Sequence, residues 1–183
     1  TFLGYLLTHM VVTYSLKPTA QDTGHLMSVW KTIDAASCPR SYNFHLHTIA
    51  SDGQLTPVDL IQQAIAIGLK GLAITDHHSV DGFKEAASYL DTISLERKNL
   101  PQLWTGTEIT SRLLSVEVHI LGYGFNPEHP AISSYLQGNR PHEEAAQAER
   151  VIESIHQAGG LAVLAHPERY RRSASELIPA AAE

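Results

Sequence analysis

The fold is decided by residues 42–53, YNFHLHTIASDG, a short strand-like pattern that leads into a polar loop. Within this stretch His45 and His47 are two residues apart, and Asp52 follows in the loop. Side chains two residues apart on an extended strand share one face, so we expect the two imidazoles to project side by side. Imidazole and carboxylate ligands suit zinc, manganese or iron. The stretch therefore predicts a metal site at the C-terminal end of a first strand.

Side chains that can bind metals recur downstream, each ending or bordering a short apolar or β-branched run that predicts a strand. They are Asp76, His77 and His78 in TDHH, Glu108 in GTE, His119, and His166 in AHP. A His-x-His pair alone is a weak signal, because histidine is common in this chain. The recurrence at several strand ends is what makes a shared metal site the better interpretation.

Helices and strands alternate along the chain. Residues 57–67 predict a helix, because Thr56 can cap it, Pro57 suits its first position and Gly68 can end it. The continuously apolar run 71–75 is typical of a strand covered on both faces in a parallel sheet. Further helices are predicted over residues 82–96, from near Pro141 to Gly159 and over 173–182, and further strands over 103–105, 116–121 and 161–165. The pattern favours a parallel α/β barrel.

Length and composition bound the function. The 183 residues are 43% hydrophobic, as expected for one folded domain, which we place at residues 41–183. Residues 1–40 are expected to form an N-terminal extension with one amphipathic helix, since Leu26, Val29, Trp30 and Ile33 have helical spacing. The net charge of −6 argues against binding of long nucleic acid through its phosphates.

Cysteine usage and apolar segments bear on the compartment. The single cysteine, Cys38, cannot form an intrachain disulfide, which favours a reducing compartment. No apolar run approaches the roughly 20 residues needed to span a bilayer. The apolar patch Phe2–Val12 lacks the basic flank and the cleavage site of a signal peptide. We expect a cytoplasmic protein that does not interact with membranes.

Taken together, the motifs have the order and spacing of a known family. The set His45-x-His47, Ser51-Asp52-Gly53, Thr75-Asp76-His77, Glu108, His119 and Ala165-His166-Pro167 resembles the PHP (polymerase and histidinol phosphatase) family. The similarity is greatest to its stand-alone phosphoesterases, which act on nucleoside bisphosphates or short oligonucleotides. The resemblance implies a distorted (βα)7 barrel, TIM-like, of which about five strands are expected here.

The resemblance also implies two to three divalent metal ions, Mn²⁺, Zn²⁺ or Fe²⁺. It assigns His45, His47 and Glu108 to one ion, Asp52 and His77 to a second, and His119 and His166 with bridging Glu108 to a third. We assign catalytic positions to Asp76, His77 and Glu108, with Asp76 fixing a ligand or water from behind. His78 is left open between a substrate contact and an ordinary loop histidine.

One family motif has no counterpart in the sequence. Nothing after Tyr170 matches the family's last motif, Gly-Ser/Thr-Asp-x-His, so we expect a C-terminally incomplete copy of the domain. Arg169, Arg171 and Arg172 cluster just after His166. A guanidinium group suits bidentate phosphate binding, and Arg169 is our hypothesis for a substrate contact, against the alternative of a solvated surface cluster.

Three functions are compatible with these motifs. The first is hydrolysis of a phosphate ester in a nucleotide, short RNA or phosphorylated metabolite by a metal-bridged hydroxide. The second is a non-catalytic metal-binding or scaffolding module, as in some bacterial DNA polymerases. The third is a C–N hydrolase on a similar barrel, which usually uses a carboxylated lysine, and no lysine ends a matching strand here. We favour the first because the ligand positions that can be checked are all present.

Overall fold

The computed structural model describes residues 18–182, so the apolar patch Phe2–Val12 lies outside the described residues. The helices are α1 (Thr23–Trp30), α2 (Pro57–Ile67), α3 (Asp81–Ile93), α4 (Pro130–Ser133), α5 (Ala148–Gln157) and α6 (Ala174–Ala182). The strands are β1 (Tyr42–Leu46), β2 (Gly71–Ile74), β3 (Gln102–Trp104), β4 (Gly106–Leu113), β5 (Val116–Tyr123) and β6 (Leu161–Leu164). Over residues 18–182, no helix has both the length and the apolar character needed to cross a membrane.

The first half of the described chain is the predicted β-α-β unit. Helix α2 has the predicted bounds, because Thr56 Oγ1 accepts a hydrogen bond from Asp59 N at 3.0 Å and Gly68 caps the other end. Strands β1, β2 and β3 form a parallel sheet in that order, and every residue of β2 is buried. The prediction of a buried parallel strand at 71–75 is therefore confirmed.

The second half departs from the predicted parallel architecture. Strands β4, β5 and β6 form an antiparallel sheet in that order, with Gly106 opposite Tyr123 and Leu113 opposite Val116. Leu114 and Ser115 connect β4 to β5 with φ of 47° and 67°. Two consecutive left-handed residues make the tight turn that suits the twist of a hairpin. The expectation of an all-parallel sheet was wrong here. The hairpin was not predicted because its turn contains neither glycine nor asparagine, the usual sequence signals of such a turn.

The two sheets are joined where β3 passes into β4. At the break, Thr105 N donates to Ala20 O at 3.0 Å and Thr105 O accepts from Gly124 N at 2.8 Å. Beyond it, Glu108 N donates to Asp76 O at 3.1 Å and Glu108 O accepts from His78 N at 3.0 Å. The described strands thus form two three-stranded sheets rather than a closed barrel. The fold is mixed α/β.

Helix α5 starts later than predicted. The sequence predicts a helix from near Pro141, but α5 begins at Ala148 and only a short 3₁₀ turn, Glu143–Ala146, precedes it. Glu143 has φ of 51° and Gln147 is extended, so the backbone cannot run helically through this stretch. The buried face of α5 is formed by Ala148, Val151 and Ile155.

Helix α1 packs on the strands instead of lying apart from them. Leu26 and Val29 are buried in a cluster with Trp104 and Tyr123, and Trp30 contacts Tyr123 edge-on at 5.4 Å between ring centroids. The amphipathic helix predicted in residues 1–40 therefore contributes apolar surface to the strands that carry the site. The domain division at residue 40 stays a prediction.

Candidate metal centre

The site is centred on the carboxylate of Glu108, whose side chain is only 1% exposed. Glu108 is the third residue of β4. Its main-chain N–H and C=O are hydrogen-bonded to Asp76 and His78, as described above. An unpaired carboxylate in such a position would be costly, so its partners matter. They are five imidazoles, contributed by β1 and the residue after it, by the segments after β2 and β6, and by β5.

The ring nitrogens of these histidines converge on the two oxygens of Glu108. Oε2 lies 2.9 Å from His45 Nε2, 3.0 Å from His47 Nε2 and 3.7 Å from His77 Nε2. Oε1 lies 2.7 Å from His119 Nδ1 and 3.2 Å from His166 Nε2. Each imidazole keeps a fifth to a third of its surface exposed, so the cluster opens to solvent.

His45 of β1 and His47, the residue directly after β1, lie side by side, as the strand geometry predicts. The ring centroids of His45 and His47 are 5.1 Å apart, and Asp52 Oδ1 lies 3.2 Å from His47 Nδ1. The other Asp52 oxygen is 3.7 Å from His77 Nε2. Asp52 reaches this position because Gly53 packs against the main chain of His47, where a Cβ atom would overlap the His47 carbonyl. The Ser-Asp-Gly motif therefore delivers a carboxylate by turning the loop tightly.

Asp76 is buried beneath this loop and has different partners. Its Oδ1 accepts hydrogen bonds from Thr48 N at 2.7 Å and from Ser51 Oγ at 2.6 Å. Its Oδ2 accepts from Thr48 Oγ1 at 2.7 Å. Asp76 is not among the residues that line the cavity described below. The geometry gives it the task of holding the loop that carries Asp52.

The surroundings of the cluster keep Glu108 ionised and shift the pKa values of its histidines in different directions. Burial disfavours the charged form of Glu108, but hydrogen bonds from His119, His45 and His47 outweigh it and hold the pKa of this carboxyl well below its usual range. Burial lowers the pKa of His77 and of His166, which favours their neutral forms. At His47 burial also disfavours the charged form, but the hydrogen bond to Glu108 and the charges of Glu108 and Asp52 outweigh it and raise the pKa. Neutral imidazoles and an ionised carboxylate are the forms that ligate metals.

Two groups of donor atoms are compact enough to hold an ion, and they share Glu108. One is formed by His45, Glu108 and His166, and the other by His47, His77 and Glu108, with the ligand atoms of each group within 4.8 Å of one another. The structure thus brings the seven predicted ligands together but groups His45 with His166 instead of with His47. The ion-by-ion assignment implied by the resemblance stays a prediction.

The cluster forms one side of a cavity of about 700 Å³. Besides the seven predicted ligands, the cavity is lined by His78, Thr110, Arg140 and Arg169. Thr110 was missed by the sequence reasoning, although it is two residues beyond Glu108 on the same strand and therefore on the same face. Arg140 was also missed, and no motif marks it. Arg169 lines the cavity as the hypothesis requires, but whether it contacts a substrate stays a prediction.

Comparisons with known proteins agree with this geometry. The PHP domain model matches residues 43–178. A 5′-3′ exoribonuclease from Haemophilus influenzae is 32% identical over 62% of this chain and 38% of its own length. A 3′,5′-nucleoside bisphosphate phosphatase from Chromobacterium violaceum is 33% identical over 66% of this chain and 39% of its own length. This chain thus spans less than two fifths of these relatives.

The fold has a counterpart among solved structures. A protein from Bifidobacterium adolescentis described as a metal-dependent phosphoesterase superposes with a TM-score of 0.64 and 24% identity, over 79% of this chain and 74% of its own. At this identity the likeness concerns the fold. The family match covers most of the chain and includes the strands, loops and helices that bring the histidines to Glu108. This chain therefore belongs to the PHP domain family.

Proposed function

We propose that this chain carries the site of a metal-dependent phosphoesterase that hydrolyses a phosphate ester in a small nucleotide or a short RNA, using two to three divalent ions. The observation that carries the proposal is the convergence of five imidazoles on one buried carboxylate, at the wall of an open cavity that also holds two arginines. The names of the two relatives support the substrate class, since both denote enzymes that act on nucleotides or RNA.

The histidine nitrogens and carboxylate oxygens of this cluster are suitable ligands for a metal centre. A purely structural role would leave too many ring nitrogens competing for one carboxylate, which has about four lone-pair sites. Mixed imidazole and carboxylate donors suit manganese, zinc or iron better than calcium.

The chain's own residues then have distinct tasks. Bound divalent ions would activate water for attack and neutralise charge on the phosphate. Glu108 would bridge the two donor groups, with His45 and His166 on one side and His47 and His77 on the other. Asp76, first assigned to the catalytic set, becomes a positioning residue in this proposal, because its carboxylate holds the loop of Asp52.

Metal analysis combined with phosphate release tests the proposal. The protein is expected to retain a divalent metal after purification and to release phosphate from a 3′,5′-bisphosphorylated nucleoside or from short RNA, with histidinol phosphate as a comparison substrate. Chelation should abolish release, and Mn²⁺ or Zn²⁺ should restore it. The exposed His156 lies outside the cavity, so His156→Ala is a matched control for His47→Ala, which should lose both metal and activity. Metal retention without turnover on any substrate would instead favour the scaffolding module.

Arg169→Ala is expected to raise KM for the phosphate substrate by about tenfold or more, since a hydrogen bond to a charged group contributes roughly 1.5–3 kcal/mol. Arg169 lines the cavity, and its guanidinium forms no ion pair within the part of the chain that the structure describes. Steady-state kinetics would measure the change. Arg171→Ala is the control, because this exposed neighbour does not line the cavity. Equal KM values for the two variants would exclude a substrate contact at Arg169.

A further inference from the structure

The cavity has a second cationic side chain that the motifs do not account for. Arg140 and Arg169 are the only lysine or arginine residues among the described residues that line it. Arg169 belongs to the turn after His166, whereas Arg140 precedes the 3₁₀ turn Glu143–Ala146. The two guanidinium groups therefore reach the same cavity from different segments of the chain.

The segment that carries Arg140 is docked onto the site. Gly138 N donates to His78 O at 2.8 Å, which ties this segment to the turn that supplies His77. Tyr135 Oη donates to Ala145 O at 3.0 Å and so closes the segment on itself around Arg140. A side chain on a segment held in this way is prepared for binding, because less conformational freedom is lost when a ligand arrives.

The present contact of Arg140 leaves most of its donors available. Its Nη1 donates to Glu117 Oε2 at 3.2 Å, and both side chains are 62% exposed. An exposed ion pair contributes little free energy, so exchanging or sharing it costs little. A guanidinium group has five N–H donors arranged as a planar fork, which matches two oxygens of a phosphate.

The wall beside Arg140 is polar and incompletely satisfied. His78 is 4% exposed, its Nε2 lies 3.1 Å from Thr110 Oγ1, and its Nδ1 is buried without a hydrogen-bond partner among the described residues. Both residues line the cavity. The cavity wall near Arg140 is therefore built from side chains that can form hydrogen bonds, as a site for a polar ligand requires.

We propose that Arg140 binds a second anionic group of the substrate, a phosphate that is not cleaved, while the scissile phosphate lies at Glu108 and its histidines. This inference rests on the proposed function and adds the specificity of the site. The cavity of about 700 Å³ is in the range of pockets that enclose whole small-molecule ligands, well beyond a single phosphate. The arrangement selects nucleotides with phosphates at two positions, or an oligonucleotide, over a monophosphate.

Paired substrates test the inference. The Mn²⁺-loaded wild-type chain is compared with Arg140→Ala on a nucleoside 3′,5′-bisphosphate and on the matching nucleoside monophosphates. The ratio of kcat/KM for the bisphosphate to kcat/KM for the monophosphate should fall by about tenfold in the variant, and Arg140→Lys should lie between. Arg112→Ala is the control, because Arg112 is exposed on β4, the strand that carries Glu108, but does not line the cavity. An unchanged ratio in Arg140→Ala would overturn the inference.

Calorimetric titration with the bisphosphate separates this inference from the proposed function. If wild type binds the bisphosphate but releases no phosphate, the phosphoesterase proposal fails. The Arg140 inference then stands if Arg140→Ala weakens binding by about tenfold, and fails if the two dissociation constants agree. If wild type neither binds nor hydrolyses the bisphosphate, both are overturned.

Discussion

Glu108→Gln is expected to remove bound metal and to lower phosphate release by about 10³-fold or more, comparable to loss of a main electrostatic group in an active site. Glutamine keeps the shape of the side chain but replaces one acceptor oxygen with an NH₂ donor and removes the charge. Glu108 belongs to both compact donor groups, so a single substitution weakens both. Metal content measured by mass spectrometry and phosphate release at saturating Mn²⁺ would measure the two effects.

The matched control for this prediction is Glu85→Gln. Glu85 lies on α3, is exposed and does not line the cavity, so the same change of charge should leave metal content and turnover as in wild type. Circular dichroism would verify that Glu108→Gln keeps its secondary structure. Near wild-type metal content in a folded Glu108→Gln protein would contradict the central position assigned to this carboxylate.

Gly82→Ala is expected to destabilise the fold by about 1–3 kcal/mol, as overpacking of a tight contact typically does, and to weaken metal binding. Gly82 is the second residue of α3, and a Cβ there would overlap Asp76 Oδ2 and lie 2.6 Å from Thr48 Oγ1. Asp76 and Thr48 hold the loop that presents Asp52. Displacement of Asp76 would therefore shift Asp52, a proposed metal ligand, although Gly82 does not contact Asp52 itself. Chemical denaturation and metal titration would measure the two consequences.

Gly24→Ala provides the same substitution in a permissive place. Gly24 is the second residue of α1, and its added Cβ would meet Asp22 Oδ1 only at 3.4 Å, an ordinary contact. Alanine there should be neutral or stabilise by about 0.4–1 kcal/mol through reduced freedom of the unfolded chain. Equal unfolding free energies and metal affinities for Gly82→Ala and Gly24→Ala would contradict the prediction that the close packing of α3 on Asp76 supports metal binding.

Local signals with a physical mechanism predicted the first half of the fold well. The bounds of α2 follow from the Thr56 cap and the Gly68 terminus, and the buried strand β2 follows from its unbroken apolar run. Such features are decided by residues adjacent in sequence. The antiparallel sheet was not predicted, because its hairpin turns at Leu114 and Ser115, and neither leucine nor serine is a residue that favours positive φ. The alternation of apolar and polar residues over 116–121 is the one sequence feature that indicates an antiparallel sheet with one covered face.

The site was predictable where side chains have distinctive chemistry. The histidines and carboxylates stood out because few structural roles explain them at predicted strand ends. The structure brings the histidines to Glu108, but Glu108 and His119 lie within β4 and β5 instead of at strand ends. Arg140 could not be found in this way, since arginines on polar segments usually face solvent. Its place at the cavity depends on the hydrogen bond between Gly138 and His78, residues 60 positions apart in the chain, which no local pattern reveals.

The main-chain bonds of Glu108 have a consequence for the behaviour of the whole molecule. Its amide and carbonyl form the seam between the parallel and the antiparallel sheet, at the same residue whose carboxylate gathers the imidazoles. Ions bound there would connect the parallel and the antiparallel sheet, and loss of the main-chain hydrogen bonds of Glu108 would separate the proposed ligands. Folding and metal binding are thus thermodynamically linked, so that bound metal stabilises the fold and a stable fold strengthens metal binding.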